Sequence, residues 1–150
     1  MVCQDNEILL NNVLISLSRS FLQYVAESSP WVRLEASSVE HQIQVLASRQ
    51  RQHVAEIVHV LVNREHPIDF GSFPTEYTDL QFLSLETMLS RIQNSMGLIS
   101  TGLKSAAVSL QTAGDAEGAE LVTSIEIREQ DIAKALKEIA AELKTVNTAK

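Results

Sequence analysis

The sequence contains little cysteine, glycine or proline. Cys3 is the only cysteine among 150 residues, so the chain cannot form an intrachain disulfide or, by itself, a thiolate metal cluster. Cys3 also lies in no motif typical of reactive thiols. Five Gly and three Pro beside a 45% hydrophobic fraction argue against a disordered chain. The common residues are instead Ala, Leu, Glu and Gln, which favour helices, so we expect an all-α protein.

Basic charge and long apolar runs are also scarce. Twelve Lys and Arg against nineteen Asp and Glu give a net charge of −7, and the basic residues are scattered. This argues against nucleic-acid binding, because affinity for a phosphate backbone depends on clustered Lys and Arg. The N-terminus has no basic segment of a signal peptide, and no run approaches the roughly 18 apolar residues of a membrane span. We therefore expect a soluble, cytoplasmic protein without nucleic-acid or membrane partners.

The spacing of apolar residues predicts four long helices in one domain that covers residues 1–150. A chain of this length buries roughly 70% of the surface that its unfolded form exposes, so no second domain is needed. The predicted helices cover residues 5–26, 36–64, 78–110 and 116–143. We expect the tail, residues 145–150, to fray.

Three residues predict where helices begin and end. Asp5 and Asp115 are suitable N-caps for the first and fourth helices, because their carboxylates can accept hydrogen bonds from free backbone N–H groups. Pro30 excludes a helical conformation at the residue before it and so ends the first helix. Trp31, which follows, is expected to close one end of the core with its large apolar surface.

The connection between the second and third helices, residues 65–78, is unusually long. Pro67, Gly71 and Pro74 exclude a continuous helix there, and simple up-down bundles use connections of about 2 to 8 residues. About thirteen extended residues could span ~40 Å, the length of a bundle. The sequence therefore predicts a crossover that makes the third helix parallel to the second. Three aromatic residues are expected to pack it on this chain or on a second one: Phe70, Phe73 and Tyr77.

Polar residues interrupt two of the predicted apolar faces. Gln50 and His53 lie on the inward face of the second helix, and Glu129 is the one carboxylate on that of the fourth. The apolar residues around them keep helical spacing: Val39, Ile43, Leu46, Ile57 and Val60 or Leu61 in the second helix, and Val122, Ile125, Ile132, Leu136, Ile139 and Leu143 in the fourth.

Two segments carry a family resemblance. The first helix, from Leu10-Asn11-Asn12 to Gln23-Tyr24, resembles the first helix of bacterioferritin-like and other ferritin-like proteins. The segment Gln50-Arg51-Gln52-His53 is similar to the Glu-x-x-His element of that family, with Gln in place of Glu. With the crossover, the likeness covers most of the chain. It implies a ferritin-like four-helix bundle and a di-iron or di-manganese site built by Glu and Glu-x-x-His from four helices.

Carried onto this chain, the resemblance implies a degenerate di-iron site. His53 and Glu129 keep the chemical type of the family's ligands, and Gln50 is a neutral replacement for Glu. One carboxylate cannot balance two divalent cations in a dry core, so we expect His53, Glu129 and Gln50 to be the remnant of a lost metal site. The other ligand positions are apolar core replacements: Leu17 on the first helix, Ile92 or Met96 on the third, depending on the register, and Ile132 on the fourth.

Three alternatives remain open. A shifted register would place Arg128 and Asp131 at the ligand positions of the fourth helix. A single metal ion could bind His53 and Glu129 together with water, although two protein ligands hold a divalent ion weakly. A complete di-metal site would need carboxylates from elsewhere in the chain, for which the candidates are Glu27, Glu40, Glu56 and Glu86.

The other polar residues indicate no reaction. His41, His59 and His66 have no partner in the sequence at the spacing of metal ligands. We expect all three to face solvent. The chain contains neither a nucleophile elbow nor a glycine-rich phosphate loop. Four arginines are expected to pair at the surface with carboxylates such as Glu56: Arg49, Arg51, Arg64 and Arg91.

These observations lead to two functional predictions. The first is a non-catalytic ferritin-like binding or scaffold protein without a metal cofactor, which forms a homodimer through a helix face and not a cage. The alternative is a metal-binding oxidase, ferroxidase or iron-storage protein that holds iron or another divalent metal with an unusual ligand set. The number of carboxylates on the inward faces favours the first. The pattern identifies no small-molecule ligand.

Overall fold

The computed structural model describes residues 4–28, 37–75, 77 and 85–148. Over these residues the protein is all-α and without strands, as predicted. The helices are α1 (Gln4–Ser18), α2 (Phe21–Ser28), α3 (Ser37–Asn63), α4 (Leu85–Thr112) and α5 (Ala116–Thr148). Within these described ranges, none of the helices combines the length and the hydropathy that spanning a bilayer requires.

The single first helix predicted over residues 5–26 is wrong, because the chain forms α1 and α2 in its place. Ser20 begins α2 as its N-cap: its Oγ accepts a hydrogen bond from the backbone N–H of Gln23 at 3.2 Å. Ser-x-x-Gln is the spacing of a capping box, and a serine hydroxyl that binds backbone favours a helix start over a helix interior. The apolar periodicity continues across this break and therefore conceals it.

The other boundaries differ less from the prediction. Asp115 is the N-cap of α5, as expected, and accepts from the N–H of Gly118 at 2.9 Å. Asp5 lies within the first turn of α1 and is not its N-cap. The helix α5 continues to Thr148, past the expected end at 143. The predicted start of the third helix at Thr78, and Trp31, lie outside the described residues.

The helices α3 and α4 end in the same way. In both, a residue with left-handed backbone closes the helix and the next residue, His66 or Asp115, donates its N–H back into the last turn, which is the Schellman motif. Gly114 takes the left-handed position in α4 with φ of 82°, whereas Glu65 takes it in α3 with φ of 56°. A side chain is strained in this conformation and a glycine is not.

Arg64, beside the end of α3, joins three separate parts of the chain. Its guanidinium forms two hydrogen bonds with Asp115, at 2.8 and 2.9 Å, and one with Glu7 in the first turn of α1, at 3.2 Å. We call these three residues the end cluster. They place the start of α1, the ends of α3 and α4 and the start of α5 at one end of the molecule.

The connection after α3 packs along α1. The side-chain amide of Asn11 binds the backbone of Asp69 twice, accepting from its N–H at 3.0 Å and donating to its carbonyl at 3.1 Å. Gly71 has φ of 68°, and a Cβ there would lie 2.9 Å from Cγ2 of Ile15. Only glycine therefore allows this approach.

Two of the three aromatic residues of this connection pack on their own chain. Phe73 contacts Tyr24 with ring centroids 5.5 Å apart, and Tyr77 contacts Phe21 at 5.2 Å. Phe70 is 45% exposed on its own chain, and its packing on a second chain stays a prediction. The connection is thus bound to the first two helices by aromatic contacts as well as by hydrogen bonds.

One hydrophobic core contains side chains of all five helices. Fully buried members include Leu14 of α1, Leu22 of α2, Ile57 of α3, Leu103 of α4 and Leu136 of α5. Ile57 and Leu136 belong to the apolar faces that were predicted from helical spacing, so burial follows periodicity in α3 and α5.

Candidate functional site

The structure brings Gln50, His53 and Glu129 together inside this core. Nδ1 of His53 lies 2.7 Å from Oε1 of Glu129, and Nε2 of Gln50 lies 3.0 Å from Oε2. The three residues are 4% exposed or less. The helices α3 and α5 position them, because Gln50 and His53 are one turn apart on α3 and face Glu129 on α5. An ionised carboxylate only accepts hydrogen bonds, so Nδ1 of His53 is the donor.

The α5 register that places Glu129 and Ile132 inward agrees with the structure. Both residues are 1% exposed. The shifted register, which would place Arg128 and Asp131 inward, is wrong. Asp131 is exposed, and Arg128 binds Glu56 of α3. The four apolar residues at the other implied ligand positions are all buried at 2% exposure or less: Leu17, Ile92, Met96 and Ile132.

Gln50 is the centre of a larger hydrogen-bonded group. Its Oε1 accepts from Oγ of Ser20 at 2.6 Å and from Nε2 of Gln23 at 3.1 Å. Its Nε2 donates to Glu129 and lies 3.8 Å from the sulfur of Met96. The amide therefore presents an acceptor to two donors and a donor to a carboxylate. Glutamate at this position would set two carboxylates against each other, so the neutral amide is the group that this arrangement requires.

Ser20 and Gln23 are site residues that the sequence analysis did not identify. Gln23 also donates to the carbonyl of Ala47 at 2.8 Å and accepts from Nη1 of Arg51 at 3.0 Å. The capping-box spacing of Ser20 and Gln23 was a signal for the helix start, but it did not indicate that both side chains face α3. We call Ser20, Gln23, Gln50, His53 and Glu129 the core cluster.

Nearly all polar groups of the core cluster have hydrogen-bond partners within the protein. Both oxygens of Glu129, both ends of the Gln50 amide and both ends of the Gln23 amide have partners. In the described part of the chain, the one buried side-chain oxygen or nitrogen without a partner is Oγ of Ser18, which does not belong to the cluster. A satisfied buried network stabilises one arrangement of its helices, because any shift would leave polar groups unpaired.

The donor set does not fit the di-metal centre that the family resemblance implies. Across the described residues, no three His, Cys, Asp or Glu side chains come close enough together to hold a metal ion. The Glu129 carboxylate is the single formal negative charge of the core cluster, and its oxygens already accept from Gln50 and His53. Two divalent cations in this dry environment would lack compensating charge.

The carboxylates considered as additional ligands do not complete such a centre. Glu27 and Glu86 are exposed, and Glu40 is only partly buried. Glu56 is bound to Arg128 through two hydrogen bonds of 2.6 Å. Hydrogen bonding by Arg128 lowers the pKa of Glu56 below its ordinary value, and the charge of Arg128 adds a smaller contribution in the same direction. Glu56 is thus an ionised partner of arginine beside the cluster.

The remaining histidines and arginines are placed partly as expected. His41 and His59 are exposed, as predicted, whereas His66 is partly buried. The expectation of a surface role is wrong for Arg64, whose side chain is 14% exposed within the end cluster. Hydrogen bonding by Arg64 lowers the pKa of Asp115 below its ordinary value, and Asp115 in turn raises the pKa of Arg64.

Comparisons with known proteins add no assignment: the chain matches no protein-family model, and no curated protein is significantly similar to it. The chemistry of the core cluster is therefore the basis for a functional proposal.

Proposed function

We propose that this protein is a non-catalytic scaffold or binding protein of the ferritin-like type, in which the core cluster takes the place of a di-metal site. The positions of the helix ends support the bundle. Since α3 and α4 both end at the end cluster, the chain after Arg64 has to return along the molecule before α4 begins. A single long crossover of this kind is the connection that ferritin-like bundles use.

The observation that carries the proposal is the bonding of Glu129. This carboxylate is 1% exposed and accepts from one imidazole and one amide, so its charge is balanced by donors of the protein. A metal ion would have to displace both donors and would find few anionic ligands in return. The cluster is better suited to holding α2, α3 and α5 in register, a role for which buried polar groups are known.

Metal analysis tests this proposal. Protein purified without chelators should contain less than about 0.1 equivalent of iron, manganese or zinc per chain, and none of these ions should raise its melting temperature, because a ligand stabilises only the state that binds it. Glu129→Gln is the matched control, because it removes the only carboxylate of the core cluster and keeps the side-chain shape.

The opposite result would favour the oxidase, ferroxidase or iron-storage function. In that case the purified protein would contain about one equivalent of metal per chain or more. The metal would also raise the melting temperature of the wild type but not of Glu129→Gln. Oxidation of Fe(II) by the loaded wild type, but not by this variant, would then identify the reaction.

We also propose that the scaffold is a homodimer that associates through a helix face. Two exposed apolar side chains suggest that the interface is the face formed by α4 and α5. Val108 is 66% exposed and Ile127 is 56% exposed, and both line one shallow groove on that face. Sedimentation velocity should give twice the 16.6 kDa of one chain. Val108→Lys with Ile127→Lys should give the monomer, and a wild type that sediments as a monomer would exclude this part of the proposal.

A further inference from the structure

A second groove lies between α1, α4 and the connection after α3, and Ser20 of the core cluster is one of its lining residues. Its volume is about 490 Å³, within the range of roughly 300–1,000 Å³ that small-molecule sites have. Apolar side chains such as Val13 and Leu103 form its floor, and hydroxyls such as those of Ser95 and Ser105 line its rim. Among the described lining residues, Arg19 is the one charged side chain, in a chain with a net charge of −7.

Arg19 is held in place with most of its donors unused. Its Nε donates to the carbonyls of Phe70 and Gly71 at 3.1 and 3.2 Å, and its guanidinium lies 4.8 Å from the ring centroid of Phe73. Within the described part of the chain, its two Nη groups form neither a hydrogen bond nor an ion pair. An arginine fixed by Nε and by an aromatic face presents Nη donors in the geometry that binds a carboxylate.

The length and lining of the groove restrict what could lie in it. The lining extends from Leu9 of α1 to Arg19, the first residue after that helix. At the rise of an α-helix this is about 15 Å, which accommodates a chain of roughly eight to ten carbons. We propose that the groove binds a medium-chain aliphatic monocarboxylate, with its carboxylate on Arg19 and its chain across Val13 and Leu103. This inference goes beyond the proposed scaffold function and does not depend on it.

Two glycines of α4 provide a matched pair for the test. Gly97 and Gly102 are both exposed, and a Cβ added to either would meet nothing within 4 Å. Gly102 lines the groove and Gly97 does not. Gly102→Leu should fill the groove, whereas Gly97→Leu leaves it open. Leucine favours a helix over glycine at both positions, so both variants should fold and should have a raised melting temperature.

The experiment is calorimetric titration of the full chain with sodium octanoate below its micelle concentration. We expect saturable binding of one octanoate per chain, and at least about tenfold weaker binding of 1-octanol, which lacks the charge that Arg19 recognises. Gly102→Leu should weaken octanoate binding at least about tenfold, while Gly97→Leu stays within about twofold of wild type. Arg19→Gln should weaken octanoate binding as much as Gly102→Leu does. Arg19→Lys should weaken it less, because lysine keeps the positive charge but lacks the paired N–H donors of the guanidinium.

Several results would overturn the proposal. Absence of saturable binding to the wild type, equal affinities for octanoate and 1-octanol, or unchanged octanoate binding by Gly102→Leu would each exclude it. A second copy of the chain would occupy the groove instead if Gly102→Leu, and not Gly97→Leu, converted a dimer into a monomer. None of these results bears on the metal content that tests the scaffold function, so the two proposals can fail separately.

Discussion

The core cluster and the end cluster each contain a buried carboxylate, but they pair it with different kinds of hydrogen-bond donor. In the core cluster, Glu129 is 1% exposed and its partners are an amide and an imidazole. In the end cluster, Asp115 has a side chain exposed by only 4%, but it binds the permanent charge of Arg64, which is 14% exposed. The end cluster thus pairs a carboxylate with a permanent positive charge where one partner reaches water, whereas the core cluster surrounds its carboxylate with hydrogen-bond donors that are almost entirely shielded from water.

This difference follows from the energetics of desolvation. A guanidinium in the middle of the core would lose its hydration on all sides, and the attraction of one carboxylate does not reliably compensate for that loss. Near the helix ends, Arg64 keeps some contact with solvent while its guanidinium group binds Asp115 and Glu7. The end cluster should therefore contribute to stability in a pH-dependent way, and the core cluster mainly through satisfied hydrogen bonds.

The largest expected effect comes from breaking the core cluster. His53→Leu or Glu129→Leu alone should lower the free energy of unfolding by about 3–5 kcal/mol, because each change leaves a buried polar partner unpaired. The double variant should lose less than either single variant. Urea unfolding of the wild type and the three variants measures the coupling. Additive losses would mean that the two side chains act independently, which the 2.7 Å contact contradicts.

The end cluster should respond less strongly, and in two separable parts. Asp115→Ala removes both the N-cap of α5 and the partner of Arg64, and should cost about 3 kcal/mol. Asp115→Asn keeps an oxygen for the N–H of Gly118 but loses the charge, so it should recover about 1 kcal/mol of that loss. Thermal and urea unfolding check both values. Equal losses in the two variants would show that capping contributes nothing here.

The pH dependence of stability distinguishes the ion pairs further. The pKa of Asp115 is lowered in the folded state, so its stabilisation is fully present above its unfolded pKa and is lost as the pH falls through the folded value. Stability should therefore decrease below about pH 4, and Asp115→Asn should flatten that decrease. Glu56→Gln should flatten it less, because the Glu56 side chain is 41% exposed and screened by solvent. Unfolding curves measured between about pH 2 and 7 test this order.

The smallest expected effects concern the two helix ends that carry the end cluster. Glu65→Gly should stabilise the protein by about 0.5–1 kcal/mol, because glycine relieves the left-handed conformation of Glu65. Gly114→Ala should destabilise it by about 1 kcal/mol at the equivalent position of α4. Melting temperatures are sufficient to measure both. Destabilisation by Glu65→Gly would mean that the Glu65 side chain makes a contribution larger than its backbone strain.

Helical periodicity was sufficient to predict much of this protein. The bounds of α3, the N-cap of α5 and the inward positions of Gln50, His53 and Glu129 all follow from spacing along one helix at a time. The break at Ser20 could have been predicted from its capping-box spacing with Gln23, although the unbroken apolar face obscured it. Whether Gln23 would face solvent, α1 or α3 could not be predicted, because that depends on the angle introduced by the break.

The sequence by itself determined the helical class and the inward positions of Gln50, His53 and Glu129, since these depend on spacing within a few residues of one helix. Only the tertiary structure decided that Ser20 and Gln23 bind Gln50, that Arg64 binds Asp115 and that the connection after α3 packs on Asn11 and Arg19. Those pairs are distant in sequence. Their formation depends on the rotation and displacement of whole helices, which no local pattern specifies.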